Sequence, residues 1–562
     1  MMSQRIRFFL IIALALVGFL LYNHWQVEHP AKTTMMTADN AAEIAKKKTE
    51  EEIPEITMSA NKKPAEASKN AGIPDQTVTT TGIKVSTDVL ELTIDPNGGD
   101  IVELGLPAYV ESKEHTNKHF ILFDQSPTRY YIAQSGLAGE GGPDIRGVGR
   151  AKYEFAKSSY QMNDNEDRLV VDLSAKTKDG VEITKRFVFL RGSYVINVEY
   201  LIANQSNHDF KANFYARLKR KPGEEKSSGF FGMGVQTFTG AAINTKETPY
   251  KKFTFKEMGE KPFTKEVENG WAAMVEQYFV SAWIPAPGIT YSYQTQHLND
   301  GSYAVGLVAP TTVVPPKGED SIQVKLYAGP EITDRLEQIA PGLELTADYG
   351  ILWPICQPIF WLLKLIHSFV NNWGWSIVII TIIIKLLFYK LSATSYKSMG
   401  RMRKLQPKIE ALKQRHGEDK QKFSQSVMEL YKKEKINPLG GCLPILIQIP
   451  VFIALYYVLL GSVELRQAPF ILWITDLSSK DPYYVLPVLM GLSMFFQQKL
   501  NPAPPDPIQA KVMMFMPIIF TVMFLNFPSG LVLYWLVNNL LSILQQWVIT
   551  RRIEAVPAHG AK

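Results

Sequence analysis

Lys385 lies inside an apolar run, residues 373–391, that is long enough to cross a lipid bilayer. A lysine at mid-depth in a membrane costs about 2.5 to 3.5 kcal/mol, so a lysine retained there indicates a functional site. The alternative is that Lys385, five residues before Lys390, extends its side chain to the nearby interface. In either case the run predicts a membrane-spanning helix.

The last third of the chain is strongly apolar, whereas the first two thirds are polar. Further apolar runs predict spans at residues 443–460, 483–497, 512–526 and 531–549. A sixth run, residues 8–22, follows Arg5 and Arg7 and has no small-residue cleavage site after it, which indicates an uncleaved signal anchor. The sequence therefore predicts a polytopic α-helical membrane protein with six transmembrane helices.

The distribution of charge predicts the orientation. Thirteen Lys or Arg residues stand against five Asp or Glu residues between Lys390 and Lys435, so this loop is expected in the cytoplasm. The arginines before the anchor independently place the N-terminus there. With six spans, the C-terminus is cytoplasmic as well, and the long region after the anchor lies outside.

Apolar residues in the basic loop repeat at spacings of three and four on both sides of Gly417. They are Met402, Leu405, Ile409 and Leu412, then Phe423, Val427 and Leu430. This spacing predicts two amphipathic helices that form a cytoplasmic hairpin, residues 393–440. Its basic faces either remain solvated or provide a docking site for acidic partners, anionic lipid or ribosomal RNA.

The outer region divides into a tether and a β domain. Residues 28–78 contain no aromatic side chain and cannot bury enough surface to fold. From residue 81 short alternating stretches predict strands, such as residues 90–94 and the run that follows the turn signal Asp179–Gly180. A large β-sandwich is expected to end near Pro341. The aromatic-rich segment after it carries Pro354 and Pro358, which favours an interrupted helix lying in the membrane interface.

The predicted order along the chain is an anchor (1–25), a tether (26–80), the β-sandwich (81–341), an interfacial amphipathic helix (342–372), a second span (373–392), the hairpin (393–440), a core of four further spans (441–550) and a cytoplasmic tail (551–562).

Polar residues in three of the spans are candidates for a functional site. Thr381 and Lys385 are four residues apart and share a helical face. Gln448 lies in the next span, and the last span carries Tyr534, Trp535, Asn538 and Asn539. If these faces converge, they line a polar, hydrated concavity around the lysine. Taken singly, the amides are equally consistent with helix-to-helix hydrogen bonding.

Signals for enzyme chemistry are missing from the sequence. It contains no phosphate-binding loop, no HExxH and no GxSxG motif. His115 and His119 are four residues apart without an evident third ligand, and two cysteines form neither a disulfide framework nor a metal cluster. The net charge of +6 is small for this length and does not indicate DNA binding. We expect a protein that is not an enzyme and needs no cofactor or metal.

Three stretches of the last third, residues 436–457, 461–470 and 527–534, resemble the YidC family of membrane protein insertases in its Gram-negative form. The resemblance implies an inner-membrane protein that inserts newly made membrane proteins and helps them fold, alone or with the Sec translocon. It further implies a periplasmic β-supersandwich, a groove open to cytoplasm and lipid, and partners that include nascent membrane proteins, membrane lipids and the ribosome at the hairpin.

Carried over by position, the resemblance assigns seven residues to the groove. They are Lys385, Thr381, Gln448, Ile449, Pro450, Tyr534 and Trp535. Lys385 falls where the family usually has an arginine, so the charge is kept but the bidentate fork is lost. A secondary transporter would also hold a cation within a helix bundle, although no inverted pair of broken spans is evident. A sugar-binding β domain is the other alternative.

Overall fold

The computed structural model describes residues 82–111, 118–127, 129–223, 238–416, 419–434, 443–501 and 507–554. Two compact units divide the chain, the first ending at Ala347 and the second beginning at Asp348. The predicted anchor and tether lie outside the described residues, as do Gly417 and His115.

The described part of the first unit is built from nineteen strands and two short helices. The strands are β1 Ile83–Ser86, β2 Glu91–Asp95, β3 Asp100–Val110, β4 His119–Phe123, β5 Tyr131–Ala138, β6 Glu154–Phe155, β7 Ser159–Gln161, β8 Arg168–Lys176, β9 Val181–Leu190, β10 Val195–Asn204, β11 Phe210–Arg220, β12 Gly240–Ile243, β13 Lys251–Phe253, β14 Thr264–Glu268, β15 Ala272–Val275, β16 Phe279–Pro285, β17 Thr290–His297, β18 Tyr303–Val314 and β19 Glu319–Pro330. The helices are α1 Phe255–Glu260 and α2 Thr333–Ile339.

These strands form two sheets, as a sandwich requires. The ten-stranded sheet has the order β14-β17-β18-β11-β5-β3-β2-β1-β7, with β4 paired to β3. The nine-stranded sheet has the order β13-β12-β15-β16-β19-β10-β9-β8-β6. The turn signal at Asp179–Gly180 joins β8 to β9 in an antiparallel hairpin, in which Lys176 pairs with Glu182 and Gly180 has a φ of 90°. The predicted hairpin is therefore confirmed.

A network of charged groups is buried between the two sheets. Lys185, on β9 of one sheet, donates to the carbonyl oxygens of Gly98 and Ser135 of the other sheet, both at 3.0 Å. The Arg150 guanidinium lies 2.9 Å from both carboxylate oxygens of Asp100. Burial lowers the pKa of Lys185 to about 7, although the Asp100 carboxylate opposes this change. Burial in the sandwich therefore makes the charged form of this lysine unfavourable.

The described part of the second unit is helical. Its helices are α3 Trp353–Val370, α4 Trp373–Leu387, α5 Tyr389–Lys404, α6 Gln406–His416, α7 Lys420–Lys433, α8 Leu443–Gly461, α9 Val485–Leu500, α10 Pro507–Phe524 and α11 Ser529–Glu554.

The prediction that two prolines interrupt the interfacial segment is wrong, because α3 is continuous across both. Pro354 occupies the first turn, where a backbone N–H has no helical partner, so its ring costs no hydrogen bond. Pro358 removes a single bond in the next turn. The helix buries Cys356 and Leu363 and exposes other apolar residues, among them Trp361, so its amphipathic, interfacial character stays a prediction.

The second predicted span, residues 373–392, ends too late. Helix α4 stops at Leu387, Phe388 caps it, and α5 leaves at an angle of 68°. The residues after the bend explain it. Helix α5 buries Ser392, Ser395 and Tyr396 on the face that packs against α11, and a straight continuation of α4 would lose this packing.

The predicted apolar seam of the hairpin is confirmed. Met402, Leu405 and Ile409 pack with Val427 and Tyr431 in one buried cluster, with Leu412, Phe423 and Leu430 at its margin. The first arm of the hairpin differs from the prediction, because it consists of two helices, α5 and α6, that meet at Leu405. Ile549 of α11 belongs to the same cluster, so the hairpin packs on the end of the last helix.

By length and composition, one described helix passes as a complete membrane span, Ser529–Arg551 within α11. The bent pair α4 and α5 passes when it is taken together. Three further helices have shorter apolar segments, Gln448–Gly461, Val485–Leu500 and Ala510–Phe524. These helices lie at the positions of the five predicted spans of this unit, but three of them are shorter than a full span across a bilayer about 30 Å thick, so the six membrane-spanning helices stay a prediction.

Candidate functional site

Helix α4 carries the lysine that the sequence singles out. Asn372 caps its N-terminus, where its side-chain oxygen accepts a hydrogen bond from the backbone N–H of Trp375 at 3.1 Å. Six of its fifteen residues are isoleucine, and only Thr381 and Lys385 are polar in its second half. Both side chains are buried, so they face other helices of the unit.

The Lys385 ammonium is buried inside the unit and does not extend to its surface. The residue is only 7% exposed, and its Nζ donates to the hydroxyl oxygen of Ser542 on α11 at 2.7 Å. Ser542 in turn donates to the backbone carbonyl of Asn538 at 2.7 Å. The serine hydroxyl is thereby oriented by its own helix with a lone pair toward the ammonium. This geometry is contrary to the interfacial alternative, in which the lysine would extend outward.

Thr381 lies one turn before Lys385 and is buried, but its hydroxyl donates to the Ile377 carbonyl of its own helix at 2.6 Å. The structure therefore places it on the predicted face without a direct bond to the lysine. A threonine satisfied within its helix presents its methyl group and a remaining lone pair to the site.

Gln448 and Asn538 join α8 to α11 through their amides. The Gln448 Nε2 donates to Asn538 Oδ1 at 3.1 Å, and the Asn538 Nδ2 donates to Gln448 Oε1 at 3.3 Å. Because Asn538 also supplies the carbonyl that orients Ser542, the amide pair and the lysine belong to one connected row. The structure thus brings Lys385, Gln448 and Asn538 together through Ser542.

The row continues along α11 toward α9. Asn539 donates to the Ser493 hydroxyl at 3.0 Å, and Gln546 donates to the Leu500 carbonyl at 3.1 Å. Sequence reasoning missed Ser542, Ser493 and Gln546. A signal exists for two of them, because Asn538, Ser542 and Gln546 are spaced by four along one helix and share a face. We call these hydrogen-bonded residues together the polar row: Lys385, Ser542, Asn538, Gln448, Asn539, Ser493 and Gln546.

Aromatic rings gather beside the polar row. The Phe452 ring lies 4.6 Å from the Trp535 ring, edge to face, and 6.3 Å from the buried ring of Tyr534. Trp535 also meets Phe524 of α10 at 5.5 Å. Within the described part of the chain, the indole N–H of Trp535 has no hydrogen-bond acceptor. The two predicted aromatic residues thus lie together, at a junction of α8, α10 and α11.

Ile449 and Pro450 point away from the polar row and are exposed on α8. Pro450 lacks the N–H that would bond to the Leu446 carbonyl, which leaves this backbone oxygen without its helical partner. The two predicted residues therefore mark an outward-facing apolar surface next to Gln448, rather than a lining of the row itself.

The described residues contain no group of three or more His, Cys, Asp or Glu side chains that could hold a metal ion. The apolar segments that carry the polar row contain no Asp or Glu, so Lys385 has no carboxylate partner within them. The hydroxyl, amide and ammonium groups of the row offer hydrogen bonds and a positive charge.

Comparisons with known proteins give matches over nearly the whole chain. Residues 365–556 match the family described as 60Kd inner membrane protein, and residues 82–362 match the YidC periplasmic domain. The chain is 51% identical over 551 residues to the membrane protein insertase YidC of Azotobacter vinelandii strain DJ, covering 98% of each chain. It is 51% identical over 564 residues to that of Pseudomonas putida strain F1, covering 99% of each.

Among solved structures, an active YidC insertase with its first transmembrane domain resolved aligns over 83% of this chain and 92% of its own, with 19% identity and a TM-score of 0.39. The family assignment rests on the sequence matches, which extend over nearly the whole length of both chains. The chain belongs to the YidC family of membrane protein insertases.

Proposed function

We propose that this protein inserts apolar segments of newly made proteins into the bacterial inner membrane through the polar row. The observation that carries the proposal is the buried ammonium of Lys385, held 2.7 Å from Ser542 in apolar segments, residues 373–387 and 529–549, that contain no carboxylate. A cation kept at that cost needs an external anionic partner, and the family membership identifies membrane proteins as the substrates.

The proposed topology has six spans. The anchor within residues 1–25 is the first, and α4, α8, α9, α10 and α11 are the others. The basic loop, which includes α6 and α7, faces the cytoplasm with both termini, and the β domain faces the periplasm. Support comes from the excess of thirteen basic over five acidic residues between Lys390 and Lys435.

Short helices lower the barrier that a substrate must cross. Helix α4 has 15 residues and α9 has 16, which corresponds to roughly 22 to 24 Å at 1.5 Å per residue. A hydrocarbon layer of about 30 Å thins around such helices to avoid exposing their polar ends. The polar flank of a substrate therefore has a shorter apolar distance to travel beside this protein.

Water in the polar row would satisfy groups that the described chain leaves without partners. The Trp535 indole N–H and the Gln546 side-chain carbonyl are buried, and neither has a hydrogen-bond partner among the described residues. The Lys385 ammonium has three N–H donors, of which Ser542 accepts one. A buried polar site of this kind usually holds ordered water.

In the proposed mechanism, an acidic residue in the substrate flank approaches the Lys385 ammonium from the cytoplasm. At a separation of 4 Å and an effective dielectric constant of 20, the attraction is about 4 kcal/mol, comparable to the cost of the charge itself. The apolar segment then moves into lipid across the exposed face of α8, next to Ile449, and of α10, where Met514 and Phe515 are exposed. Its own transfer free energy drives this step, so no covalent bond is broken and no nucleotide is needed.

The hairpin is proposed to receive the substrate at the cytoplasmic entrance. Its cluster with Ile549 places a basic surface at the cytoplasmic end of α11, where the ribosome or an acidic flank could bind. The Sec translocon is proposed as a second partner on the strength of family membership alone.

Reconstitution tests the proposal. The purified chain is placed in liposomes and a single-span substrate with an acidic external tail is synthesised in their presence. Protection of that tail from added protease, above the level in liposomes without the chain, is expected. Equal protection in both preparations would refute the proposed function.

A further inference from the structure

The loop between α8 and α9, residues 462–484, carries an exposed apolar tip. Residues 468–475 contain no charged side chain, and Leu472 is 81% exposed. Leu472 has a φ of 53°, in the left-handed region that strains the backbone of a leucine. The chain therefore holds an apolar side chain outward in a strained conformation.

The base of the tip is fixed by an aspartate. The Asp476 carboxylate accepts hydrogen bonds from the backbone N–H of Gln467 at 3.0 Å, from that of Ser478 at 2.8 Å and from the Ser479 hydroxyl at 2.7 Å. Ser529 of α11 donates to the Asp476 carbonyl at 2.7 Å. The tip is thus attached to the last span by its polar groups.

A second, buried aspartate fixes the other side. Asp481 accepts from the Trp473 indole N–H and from the Tyr483 backbone N–H, both at 3.0 Å, and from the Leu486 N–H at 2.7 Å. The polar atom of Trp473 is therefore satisfied inside the protein. The exposed large side chains at the tip, Ile471 and Leu472, are apolar.

The tip packs on the first turn of α4. Asn372 donates to the Phe470 carbonyl at 3.1 Å, and the rings of Phe470 and Trp375 lie 5.5 Å apart, edge to face. Gly374 permits this contact, because a Cβ at that position would overlap the Phe470 ring. Trp375 is itself exposed, so the apolar surface is continuous from the tip to the outside of α4.

From this continuity we infer that Leu472 and its neighbour Ile471 insert into the outer phospholipid leaflet, at the boundary between headgroups and acyl chains. This inference rests on the proposed topology, in which α4 enters the membrane from the periplasm at Trp373. Tryptophan and tyrosine rings concentrate at that depth of a bilayer. A leucine beside such a ring, at a tip without charged side chains, is stabilised when lipid covers its apolar surface, and this offsets the strain.

Spin labelling of the full chain tests the inference. A nitroxide is attached to Leu472→Cys in a background of Cys356→Ala and Cys442→Ser, and the protein is placed in nanodiscs of phosphatidylethanolamine and phosphatidylglycerol. Collision rates with oxygen, which concentrates in lipid, and with a water-soluble nickel chelate report the surroundings of the label. We expect the label at position 472 to collide with oxygen at least threefold more often, relative to nickel, than a label at Lys480→Cys on the same loop.

Two controls separate the possible failures. A label at Ile383→Cys, on an exposed position of α4, must show the lipid signature if α4 spans the membrane. If it does not, the proposed topology is wrong. If it does, a label at position 472 that collides with nickel as often as one at position 480 would overturn the inference. Shielding of the 472 label from both reagents would overturn it as well, because a protein partner would then cover the tip.

Discussion

The Lys385 ammonium donates a hydrogen bond to the Ser542 hydroxyl at 2.7 Å, although the two residues are 157 positions apart in the chain. This bond connects the first and last helices of the apolar core, α4 and α11. In the proposed function, it also fixes the point at which positive charge is available to a substrate. The proposed function therefore depends on Ser542 as well as on the lysine.

Replacing Ser542 with alanine should weaken insertion selectively. A hydrogen bond to a charged group is worth about 1.5 to 3 kcal/mol, so its loss lets the ammonium move away from the row. We expect initial insertion of an acidic-tailed reporter to fall about tenfold and that of a neutral-tailed reporter to change little. Ser542→Thr should restore the activity because it keeps the hydroxyl.

The matched control is Ser493→Ala, which removes a buried hydroxyl of the same row that bonds to Asn539 instead of the lysine. If both alanine variants lose the same activity on both reporters, Ser542 has only a structural role.

The β domain should become more stable as pH rises from about 7 to about 9.5. Burial, opposed by the Asp100 carboxylate, lowers the pKa of Lys185 to about 7 from 10.5 in the unfolded chain. Below pH 7 the Lys185 amine is protonated in both the folded and the unfolded state, so the full cost of burying its charge lowers the stability. Above it the unfolded state binds the extra proton, so the free energy of unfolding increases by up to about 1.4 kcal/mol for each pH unit.

Denaturant unfolding of the isolated domain, a compact unit by itself, measures this slope. Lys185→Met should remove most of it, because the thioether side chain has no proton to exchange. Lys176→Met, at an exposed lysine paired with Glu182, should leave the slope unchanged. A wild-type domain whose stability is flat from pH 7 to 9.5 would contradict the expectation.

Much of this architecture could be predicted from the sequence. Apolar residues repeat at every second position in the strands and at spacings of three and four in the helices, because one face of each element is buried. Lys185 shows the limit. It lies at the inward position of β9 between Ile183 and Phe187, so the pattern places it in the core, but a lysine is ordinarily counted as a surface residue. Only the partner carbonyls of Gly98 and Ser135, contributed by the other sheet, show how it is accommodated.

The polar row shows a similar division. The cost of a charge in an apolar span identified Lys385, and amides in neighbouring spans identified Gln448 and Asn538. The spacing of four from Asn538 places Ser542 on the same face, but its bond to Lys385 could not be predicted, because a serine on an apolar helix can bond to its own backbone in any orientation. Its role depends on the rotation of α11 against α4. The bend at Phe388 was missed for the same reason, since the packing of α5 on α11 determines it.

Removal of the hairpin, residues 397–435, should sharply reduce insertion while the apolar helices still assemble.

A point variant tests whether the packing of the hairpin on α11 is needed. Val427→Asp places a charge within the buried cluster around Ile549 and should expose the basic segment to protease and lower insertion at least fivefold. Met428→Asp, at the exposed neighbouring position, is the control and should behave as wild type. Full activity without the hairpin would reject its proposed role.

Deletion of residues 31–340 should leave substantial insertion, because the charge, the polar row and the exposed apolar faces all belong to the unit that begins at Asp348. Complementation of a depleted strain measures this, at matched membrane levels of the deleted and full-length chains. Complete loss of insertion by a stably expressed deletion would show that the β domain takes part directly.

The most direct test compares Lys385→Arg, Lys385→Ala and Lys385→Glu on reporters with acidic and neutral tails, at equal protein levels. Arginine keeps the charge and should work. Alanine should retain part of the activity through the remaining polar groups, and glutamate should fail most severely, by at least tenfold, on the acidic tail. Lys390→Glu, at an exposed lysine five residues later, should insert both reporters normally. Equal activity of the three Lys385 variants on both reporters would contradict the account.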